Sequence, residues 1–394
     1  MKDVTKLGNI ADIYDGPHAT PKKIENGKYF LSISSLDNGS LDLSKSAFIS
    51  DKDFIKWTKR VQPQKGDLLF SYETRLGEAA LMPDNLQACL GRRMGLLRPK
   101  KDKVIPQYLL FAYLSPEFQK VIRKNTIKGA TVDRIALNEL GNFPIYIPDL
   151  KTQQSIAAVL SALDKKIALN KQINAHLEEM AKTLYDYWFV QFDFPDANGK
   201  PYKSSGGDMV FDETLKREIP KGWKPFKLSE LVTLSTGKED ANFATEQGIY
   251  PFFTCSEKIL KCDVYSFDTQ AILLAGNGTF SVKRFTGRFN AYQRTYVLEP
   301  KSKNLYPIVY FVIIDNVIKF TSGSRGSIIK FITRGDIENI DVVLPNDIEN
   351  MRFSEVLHTY LLQAELLEKQ NHHLTQLRDF LLPMLMNGQV SVAE

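Results

Sequence analysis

Two short segments carry side chains whose types and spacing suit contacts with nucleic-acid bases. Arg92-Arg93 and Gln293-Arg294 each come directly before a predicted strand, at matching places in the two halves of the chain. An arginine can donate two hydrogen bonds to guanine, and a glutamine can bond adenine in the same bidentate way. The same side chains could instead hold phosphate groups, which fix position without distinguishing sequence. Both interpretations stay open for this pair of segments.

Further candidate side chains lie in predicted loops of the same two parts of the chain. Arg75 follows one predicted strand, and Asn277, Lys283 and Arg284 occupy the corresponding region of the second part. Cationic side chains in such loops either contact phosphate groups or are simply solvated. Their assignment to nucleic-acid binding is therefore a hypothesis. The remaining candidates are Lys22, Lys23, Lys128, Lys238, Arg288, Ser324, Arg325 and Lys330.

Sequence motifs of the common catalytic and metal sites are absent. The chain has no GxxxxGK[ST] phosphate loop and no [DNS]-P-P-[YFW] motif for methylating an exocyclic amine. Gly276-Asn277-Gly278 begins like a dinucleotide loop but lacks the third glycine, which predicts a turn. The 5 histidines show no metal-ligand spacing, and His372-His373 is interpreted as an exposed helix face. The sequence therefore predicts no catalysis, metal or cofactor in this chain.

The composition predicts a reduced, cytosolic protein without membrane spans. Apolar residues make up 43% and charged residues 25%, which is typical of soluble globular chains. No apolar run is long enough to cross a bilayer, and the N-terminus has no signal-peptide core. The 3 cysteines form no CxxC pair, so neither a disulfide framework nor a structural zinc is expected.

The basic residues are concentrated in two blocks of the chain. Residues 1–150 carry 23 Lys+Arg against 17 Asp+Glu, and residues 201–347 carry 19 against 17. Residues 151–200 are balanced at 6 against 6, and residues 348–394 have a net charge of −3. Two basic blocks are compatible with binding to phosphate backbones, although chance scatter is the alternative.

Internal similarity shows that the chain contains two copies of one unit. Lys6 to Gly16 and Lys227 to Gly237 share the frame K-L-x-x-[IL]-x-x-[IL]-x-x-G. Asn142 to Pro148 and Asn339 to Pro345 share a strand that ends in proline, and the alignment then continues without a gap through the following helical stretch. Insertions and deletions lie inside the globular part, where surface loops tolerate them.

Each copy mixes short strands with helices. Leu68-Leu69-Phe70 and Ile272-Leu273-Leu274 are typical of buried strands. Val104 to Lys124 and Asn304 to Phe320 are predicted helices with a proline near the start. The predicted fold class is α+β, with two tandem domains that are each followed by a long helix.

The two long helices carry matching apolar stripes with the spacing of a coiled coil. The predicted helix-pairing positions are Ile156, Leu160, Leu163, Ile167, Asn174, Leu177 and Leu184 in the first helix, and Phe353, Leu357, Tyr360, Leu367, Asn371, Leu374 and Leu381 in the second. Asn174 and Asn371 stand at the same step, where a polar residue fixes register. We favour antiparallel pairing of the helices; the alternative is that each packs on its own domain.

The first helix should cover Ser155 to Tyr187, which spans ~50 Å at 1.5 Å per residue. Pro383 is expected to bend or end the second helix, because proline has no N–H to donate. Between the first helix and the second block, Phe192 to Gly207 is rich in Pro, Gly, Ser and Asp and is predicted to be a linker.

These features resemble the DNA-specificity (S) subunit of type I restriction–modification systems. Glu218 to Trp223, followed by Lys227-Leu228, is similar to the usual entry to a target-recognition domain of that family. The segment Phe192 to Gly207 resembles its central linker, and the strand-proline exits lead into its long helices. The resemblance covers nearly the whole chain, although the first block lacks the I-P-x-G-W entry.

The resemblance implies a domain layout and a set of partners. It implies target-recognition domains at residues 1–150 and 221–347, a central spacer helix at 151–190, a linker at 191–220 and a C-terminal spacer helix at 348–388. Each domain would bind one half of a split double-stranded DNA target. The helices would set the spacing and dock two methyltransferase subunits, with two nuclease–translocase (restriction) subunits completing the complex. S-adenosylmethionine, ATP and Mg²⁺ would belong to that complex, because S subunits are non-catalytic.

Two other classes of function remain as alternatives. A non-catalytic helical scaffold that binds proteins and ignores DNA would explain the coiled-coil stripe, but it does not require a duplicated α+β block. An enzyme acting on DNA would require turnover by the purified chain alone.

Overall fold

The computed structural model describes residues 4–129, 132–321, 331–348, 351 and 353–392. The chain divides into unit 1, which comprises residues 1–168 and 371–394, and unit 2, which comprises residues 169–370. Each unit therefore contains a globular part together with one portion of each long helix. The C-terminal end of the chain belongs to the same unit as the N-terminal block.

Unit 1 combines short strands with short helices. Its strands are β1 (Val4–Lys6), β2 (Ala11–Asp15), β3 (Lys28–Phe30), β4 (Leu36–Asp37), β5 (Ser40–Leu41), β6 (Ala47–Ile49), β7 (Leu68–Ser71), β8 (Ala79–Leu81), β9 (Ala88–Cys89), β10 (Met94–Pro99), β11 (Thr126–Ile127), β12 (Arg134–Ile135) and β13 (Pro144–Tyr146). Its short helices are α1 (Leu7–Ile10), α2 (Asp51–Trp57), α3 (Pro106–Leu114), α4 (Pro116–Lys124) and α5 (Leu137–Leu140). They lead into the long helix α6 (Leu150–Tyr185), which continues as a π-helical turn over Asp186–Val190.

The central sheet of unit 1 has the order β2-β10-β7-β8, with β10 antiparallel to both neighbours. Because side chains alternate along a strand, Leu68 and Phe70 of β7 join a core with α3, whereas Leu69 joins a second core on the other face. A second sheet has the order β6-β3-β9, in which β3 and β9 are parallel. Strand β1 pairs with β13, which brings the start and the end of the block together.

Unit 2 contains the second block. Its strands are β14 (Met209–Asp212), β15 (Arg217–Pro220), β16 (Trp223–Lys227), β17 (Val232–Thr236), β18 (Tyr250–Phe253), β19 (Leu260–Cys262), β20 (Phe267–Ala275), β21 (Val282–Ala291), β22 (Thr295–Pro300) and β23 (Asp341–Pro345). Its helices are α7 (Leu228–Leu231), α8 (Leu305–Thr321) and α9 (Arg334–Glu338), followed by the long helix α10 (Ser354–Met386).

The sheet of unit 2 repeats the topology of unit 1. Its order is β17-β22-β20-β21-β18-β19, with β22 antiparallel to β17 and β20. Strand β21 pairs antiparallel with β20 and parallel with β18, so it takes the places of both β8 and β9. Strands β16 and β23 pair as β1 and β13 do. The predicted duplication of an α+β unit is confirmed.

One predicted helix is two helices. The segment Val104 to Lys124 breaks at Ser115, between α3 and α4. Pro116 has no N–H to continue the ladder of α3, and Ser115 Oγ accepts a hydrogen bond from Phe118 N at 3.3 Å. The corresponding helix of unit 2, α8, is continuous as predicted.

The two long helices pack against each other in both units. In unit 1, Arg378 Nη1 lies 3.0 Å from Asp164 Oδ1, and Asn371 Nδ2 donates to Ile167 O at 3.3 Å. Residue numbers rise along α6 as they fall along α10, so the helices are antiparallel. Asn371, one of the predicted helix-pairing residues, thus donates a hydrogen bond to the backbone of the facing helix.

Unit 2 also contains contacts between the two helices. Asn170 Nδ2 donates to Gln370 Oε1 at 2.7 Å, and the rings of Trp188 and Phe353 lie 5.7 Å apart, edge to face. The helix-pairing positions proposed from the sequence are all buried or half-buried. The predicted antiparallel helix pair is confirmed. Residues of both helices also belong to the core of unit 1 and to the core of unit 2.

Helix α10 extends past the proline at which it was expected to bend or end. Pro383 lies inside the helix, which ends at Met386. Gly388 follows with φ 71°, and Gln389 N donates to Met384 O at 3.0 Å, which closes the last turn.

The segment predicted as a linker is well structured. Phe194 stacks on Tyr202 and on Trp223 with ring centroids 4.7 Å apart in each case. Asp193 accepts hydrogen bonds from Ser204 N at 2.6 Å and from Ser204 Oγ at 2.5 Å. The hairpin β14–β15 completes the segment, so residues 191–220 form part of the packing of unit 2.

The packing between the two long helices can be tested at Leu357, a predicted helix-pairing residue that is fully buried. We expect Leu357→Ala to lower the free energy of unfolding by about 2–5 kcal/mol, because the lost methyl groups leave a cavity. Leu362→Ala on the same helix is the matched control, since its side chain is 41% exposed, and should change that free energy by less than about 1 kcal/mol. Chemical denaturation measures both; equal losses would show that the stripe does not carry the packing.

Candidate nucleic-acid interface

Several loops of unit 1 meet at one end of its central sheet. Asp15 at the end of β2 faces Gly95, and Ser71 at the end of β7 faces Met94 at the start of β10. The loops after β2 and β7 and the turn before β10 therefore lie side by side. The hairpin β11–β12 joins them, because Ile135 N donates to Tyr72 O at 2.9 Å. We call this surface rim 1, comprising residues 16–24, 72–78, 90–93, 126–129 and 132–135.

All candidate contacts predicted in the first block lie on rim 1. Four of them are exposed and have no hydrogen bond or ion pair within the described parts of the chain: Lys22, Lys23, Arg92 and Lys128. Free cations that converge from separate loops provide positive charge without an internal counterion. Such an arrangement can bind an anionic surface.

The other two candidates on rim 1 are already engaged. Arg75 donates to Ile33 O at 3.0 Å and lies 3.3 Å from Glu78 Oε1. Arg93 has φ 70°, lies 3.0 Å from Glu73 Oε2 and donates to Thr74 Oγ1 at 3.3 Å. These arginines hold loops in place, and contact with a ligand would require them to exchange or share partners.

Unit 2 forms an equivalent surface, rim 2. Tyr296 of β22 faces Thr236 and Leu274, which places the loop after β17, the β20–β21 turn and the turn before β22 together. Ile332 N donates to Gly276 O at 2.8 Å and brings a fourth segment to this end. Rim 2 comprises residues 237–249, 276–281, 292–294 and 331–332.

On rim 2, Lys238 and Arg294 are exposed, and their side chains have no hydrogen bond or ion pair with any described residue. Gln293 donates to Asp240 Oδ1 at 2.7 Å, and Asn277 is half-buried in a turn whose backbone bridges to Phe331. The candidates Ser324, Arg325 and Lys330 lie outside the described residues.

The two matching turns therefore expose their free arginine at different positions. In unit 1, Arg92 is free and Arg93 is bonded, whereas in unit 2 Gln293 is bonded and Arg294 is free. Sequence alignment alone pairs Arg93 with Arg294, so only the tertiary contacts show this exchange.

Two candidates on β21 do not lie in the loops of rim 2. Lys283 Nζ donates to Ser256 O and to Ser281 Oγ, each at 2.8 Å, and burial lowers the pKa of its ammonium group. Arg288 lies beside Asp268 near the start of β20, whereas rim 2 lies at the other end of that strand.

Arg284 corrects the prediction most clearly, because its side chain is only 6% exposed. Its Nη2 lies 2.6 Å from Glu178 Oε1 of α6 and 3.8 Å from Glu368 Oε1 of α10, and its guanidinium stacks 4.6 Å over the ring of Tyr310. Burial raises the pKa of Glu368, against the effect of the arginine charge. Alternation along β21 points Arg284 away from the face of Lys283, so Arg284 ties the sheet to both helices and its guanidinium is not available on the surface.

Sequence reasoning missed a second basic surface next to rim 1. Lys56, Lys59 and Arg60 line a concavity with Trp57 and His18. The signal was the run Lys56-Trp57-Thr58-Lys59-Arg60, in which cations flank an aromatic residue. Asp15 lies in the same concavity, forms an ion pair with Arg60 and lies 3.2 Å from His18 Nε2.

Within the described ranges, no group of three or more potential metal-ligating side chains comes together. No helix in the same ranges has the length and apolar content needed to cross a bilayer.

The family model named for the type I restriction modification DNA specificity domain matches residues 1–179 and again residues 220–376. The chain belongs to this family. This membership confirms the resemblance seen in the sequence.

Curated relatives agree with this assignment. The EcoDI specificity subunit from Escherichia coli is 45% identical over 181 residues, which cover 44% of this chain and 40% of that protein. This chain thus spans less than half the length of that relative. The MjaIX specificity subunit from Methanocaldococcus jannaschii is 24% identical over 100% of this chain and 94% of its own length.

A solved structure supports the fold. The S subunit of a type I restriction-modification system from M. genitalium superposes with a TM-score of 0.64 at 15% identity, and the match covers 98% of this chain and 96% of that chain.

Arg284 gives a direct test of the buried ion pair. We expect Arg284→Ala to lower the free energy of unfolding by about 1–3 kcal/mol, because it removes a buried side chain together with its ion pair to Glu178 and its stacking on Tyr310. The matched control is Arg288→Ala on the same strand, whose ion pair with Asp268 is exposed and should contribute less than about 1 kcal/mol. Chemical denaturation measures both values, and a neutral Arg284→Ala would contradict the structural role.

Proposed function

We propose that this chain is the specificity subunit of a type I restriction–modification complex and recognises a bipartite, asymmetric DNA target. Residues 1–150 and 221–347 are assigned as target-recognition domains, and residues 151–190 and 348–388 as spacer helices. Residues 191–220 connect the first helix to the second domain. Each rim contacts one half of the target on double-stranded DNA.

The observation that carries this proposal is the repetition of one sheet topology with a matching loop surface, rim 1 or rim 2, at the same end of each copy. Turns at the same end of both sheets present a free arginine, Arg92 on rim 1 and Arg294 on rim 2. A protein–protein scaffold does not require two such surfaces. Family membership supports the same reading, because the family model is that of a DNA specificity domain.

The differences between the rims support an asymmetric target. Rim 1 has several unpaired cations, whereas on rim 2 the position equivalent to Arg92 holds Gln293, which is bonded to Asp240. Base recognition depends on which donors and acceptors reach the groove. Two surfaces with different side chains therefore select two different half-sites.

The helix pair supports the docking of partner subunits. In unit 2, Leu169, Ile173 and Met180 project along one face of α6 and are 49%, 37% and 48% exposed. In unit 1, Leu377 and Phe380 of α10 are 44% and 63% exposed. Exposed apolar faces on packed helices mark protein-interaction surfaces.

We assign these faces to two methyltransferase subunits, and the complete complex to two further restriction subunits. S-adenosylmethionine, ATP and Mg²⁺ then serve the partners, which act on DNA in the cytoplasm. This chain contributes the target choice.

Selection from a random duplex library, with the chain bound to the methyltransferase of its own host, tests target recognition. We expect an enriched motif of two unlike halves at a fixed gap. Arg294→Ala should weaken binding by about 1–3 kcal/mol and relax or abolish only one half, because a bidentate base contact is lost. Lys216→Ala, an exposed lysine of the β14–β15 turn, is the control.

The other outcomes of this selection are equally informative. A single contiguous motif would show that one rim alone recognises DNA. No enrichment at low salt would overturn the proposal and favour the scaffold function.

The docking face can be tested separately at Ile173. We expect Ile173→Glu to abolish co-purification with the methyltransferase, because a charge is then buried in an apolar interface. Lys171→Glu is the matched control, since this exposed residue lies on another side of the same helix and also adds negative charge. Thermal unfolding of the isolated variants should be unchanged. Co-purification that survives Ile173→Glu would remove this face from the interface.

A further inference from the structure

A concavity on unit 1 has the composition of an anion-binding site. It lies between rim 1 and the 3-10 helices at Ile33–Ser35 and Leu43–Lys45. Three cations and several hydroxyl groups line it, and none of the described lining residues carries a carboxylate. The polar side chains at its wall include Lys23, Lys45, Arg92, Ser32, Ser34 and Ser46.

The positive charge of this concavity has little internal compensation. Lys23 and Arg92 have no hydrogen bond or ion pair with the described residues. Lys45 Nζ lies 3.1 Å from Asp42 Oδ2, three residues earlier in the chain. Because solvent reaches this ion pair, it is weak and competes little with an anionic ligand for Lys45. An anion entering the concavity would meet at least two cations that give up no protein partner.

The hydroxyl groups are held in place by one another. Ser32 Oγ and Ser34 Oγ are 2.8 Å apart, and Ser46 Oγ lies 2.9 Å from Ser35 Oγ. Only one proton is used in each of these contacts. A hydroxyl hydrogen therefore remains available to donate to an oxyanion.

The neighbouring concavity on unit 1 provides a contrast. It is lined by Lys56, Lys59 and Arg60, but it also contains Asp15, which forms an ion pair with Arg60 and lies 3.2 Å from His18 Nε2. This carboxylate neutralises part of its charge and would repel an anion. The concavity at Arg92 is therefore the better anion site of the two.

We propose that the Lys23–Lys45–Arg92 concavity binds a phosphate group, and that Arg92 consequently positions the ligand and does not read a base. This inference rests on the proposed function and deepens it, because the phosphodiester backbone of DNA is the expected source of that phosphate. A free phosphate or a nucleotide presents the same chemistry. At the equivalent turn of unit 2, Gln293 bonds Asp240, so rim 2 has no counterpart of this arginine contact.

Salt dependence separates phosphate contacts from base contacts. Each phosphate contact adds about one unit to the slope of log affinity against log salt, whereas a base contact changes sequence preference. We expect Arg92→Gln, in the complex with the methyltransferase, to weaken binding about tenfold at low salt, to lower the slope by about one, and to leave the selected motif unchanged. Lys23→Gln should behave in the same direction.

The matched control is Lys101→Gln. Lys101 is exposed and unpaired among described residues, and it follows the other end of β10. It should change neither the slope nor the motif. Equal thermal unfolding of all variants shows that the fold is intact.

A second arm uses inorganic phosphate on the full chain without DNA, with sodium chloride at matched ionic strength as the reference. If phosphate stabilises the wild-type chain against heat but does not stabilise Arg92→Gln, the concavity is an anion site. This result does not depend on the selection of a DNA motif. A changed slope without this stabilisation assigns the phosphate to the DNA backbone, whereas stabilisation with an unchanged slope assigns a free phosphate.

The proposal is overturned if Arg92→Gln relaxes one base of the motif at an unchanged slope, or if neither arm responds. A failure of the wild-type complex to select any motif would instead overturn the proposed function. The experiment with inorganic phosphate would still show whether this concavity binds an anion.

Discussion

Burial of the two long helices in both cores is the constraint on which the rest of the structure depends. The core of unit 1 contains Ile156 and Leu160 of α6 together with Leu385 of α10. The core of unit 2 contains Tyr185 of α6 and Leu357 of α10. Neither block closes its core without a helical segment that is distant in sequence. In unit 1 the N-terminal block packs against the last helix of the chain. Contacts between residues so far apart in sequence have a high entropic cost, and they slow folding.

The same helices explain why a buried charge is tolerated. Arg284 is placed between Glu178, Glu368 and the ring of Tyr310, so its guanidinium is paired and stacked on the inner face of β21. Burial of an ion pair adds little net stability compared with apolar packing, but removal of one partner is costly. The ion pair therefore makes the contact between sheet and helices specific in its position.

Arginines on the two rims serve different purposes according to their neighbours. Arg75 bonds the Ile33 carbonyl and Glu78, and Arg93 bonds Glu73 in the neighbouring loop, so these contacts link the loops of rim 1. Arg92 and Arg294 remain free. Loops that are tied together in this way form a preorganised surface, which loses less entropy on binding than flexible loops would.

Much of the architecture could be predicted from the residues alone. Local patterns show the duplication, the α+β class and the helix stripes, because periodicity and proline or glycine punctuation depend on near neighbours in the chain. The break at Ser115 and the structured segment after Phe192 could not be obtained from composition, since capping and aromatic stacking decide them.

The choice among basic side chains was decided only by the tertiary structure. Lys283 and Arg284 are neighbours of the same chemical type in sequence, yet strand alternation directs Lys283 to a carbonyl and a hydroxyl near a turn and buries Arg284 in an ion pair with the helices. The roles of Arg92 and Arg93 likewise depend on Glu73, which reaches the second and not the first. Sequence determines which groups can carry charge; the partners that long-range folding brings within about 3 Å determine which charges remain available to a ligand.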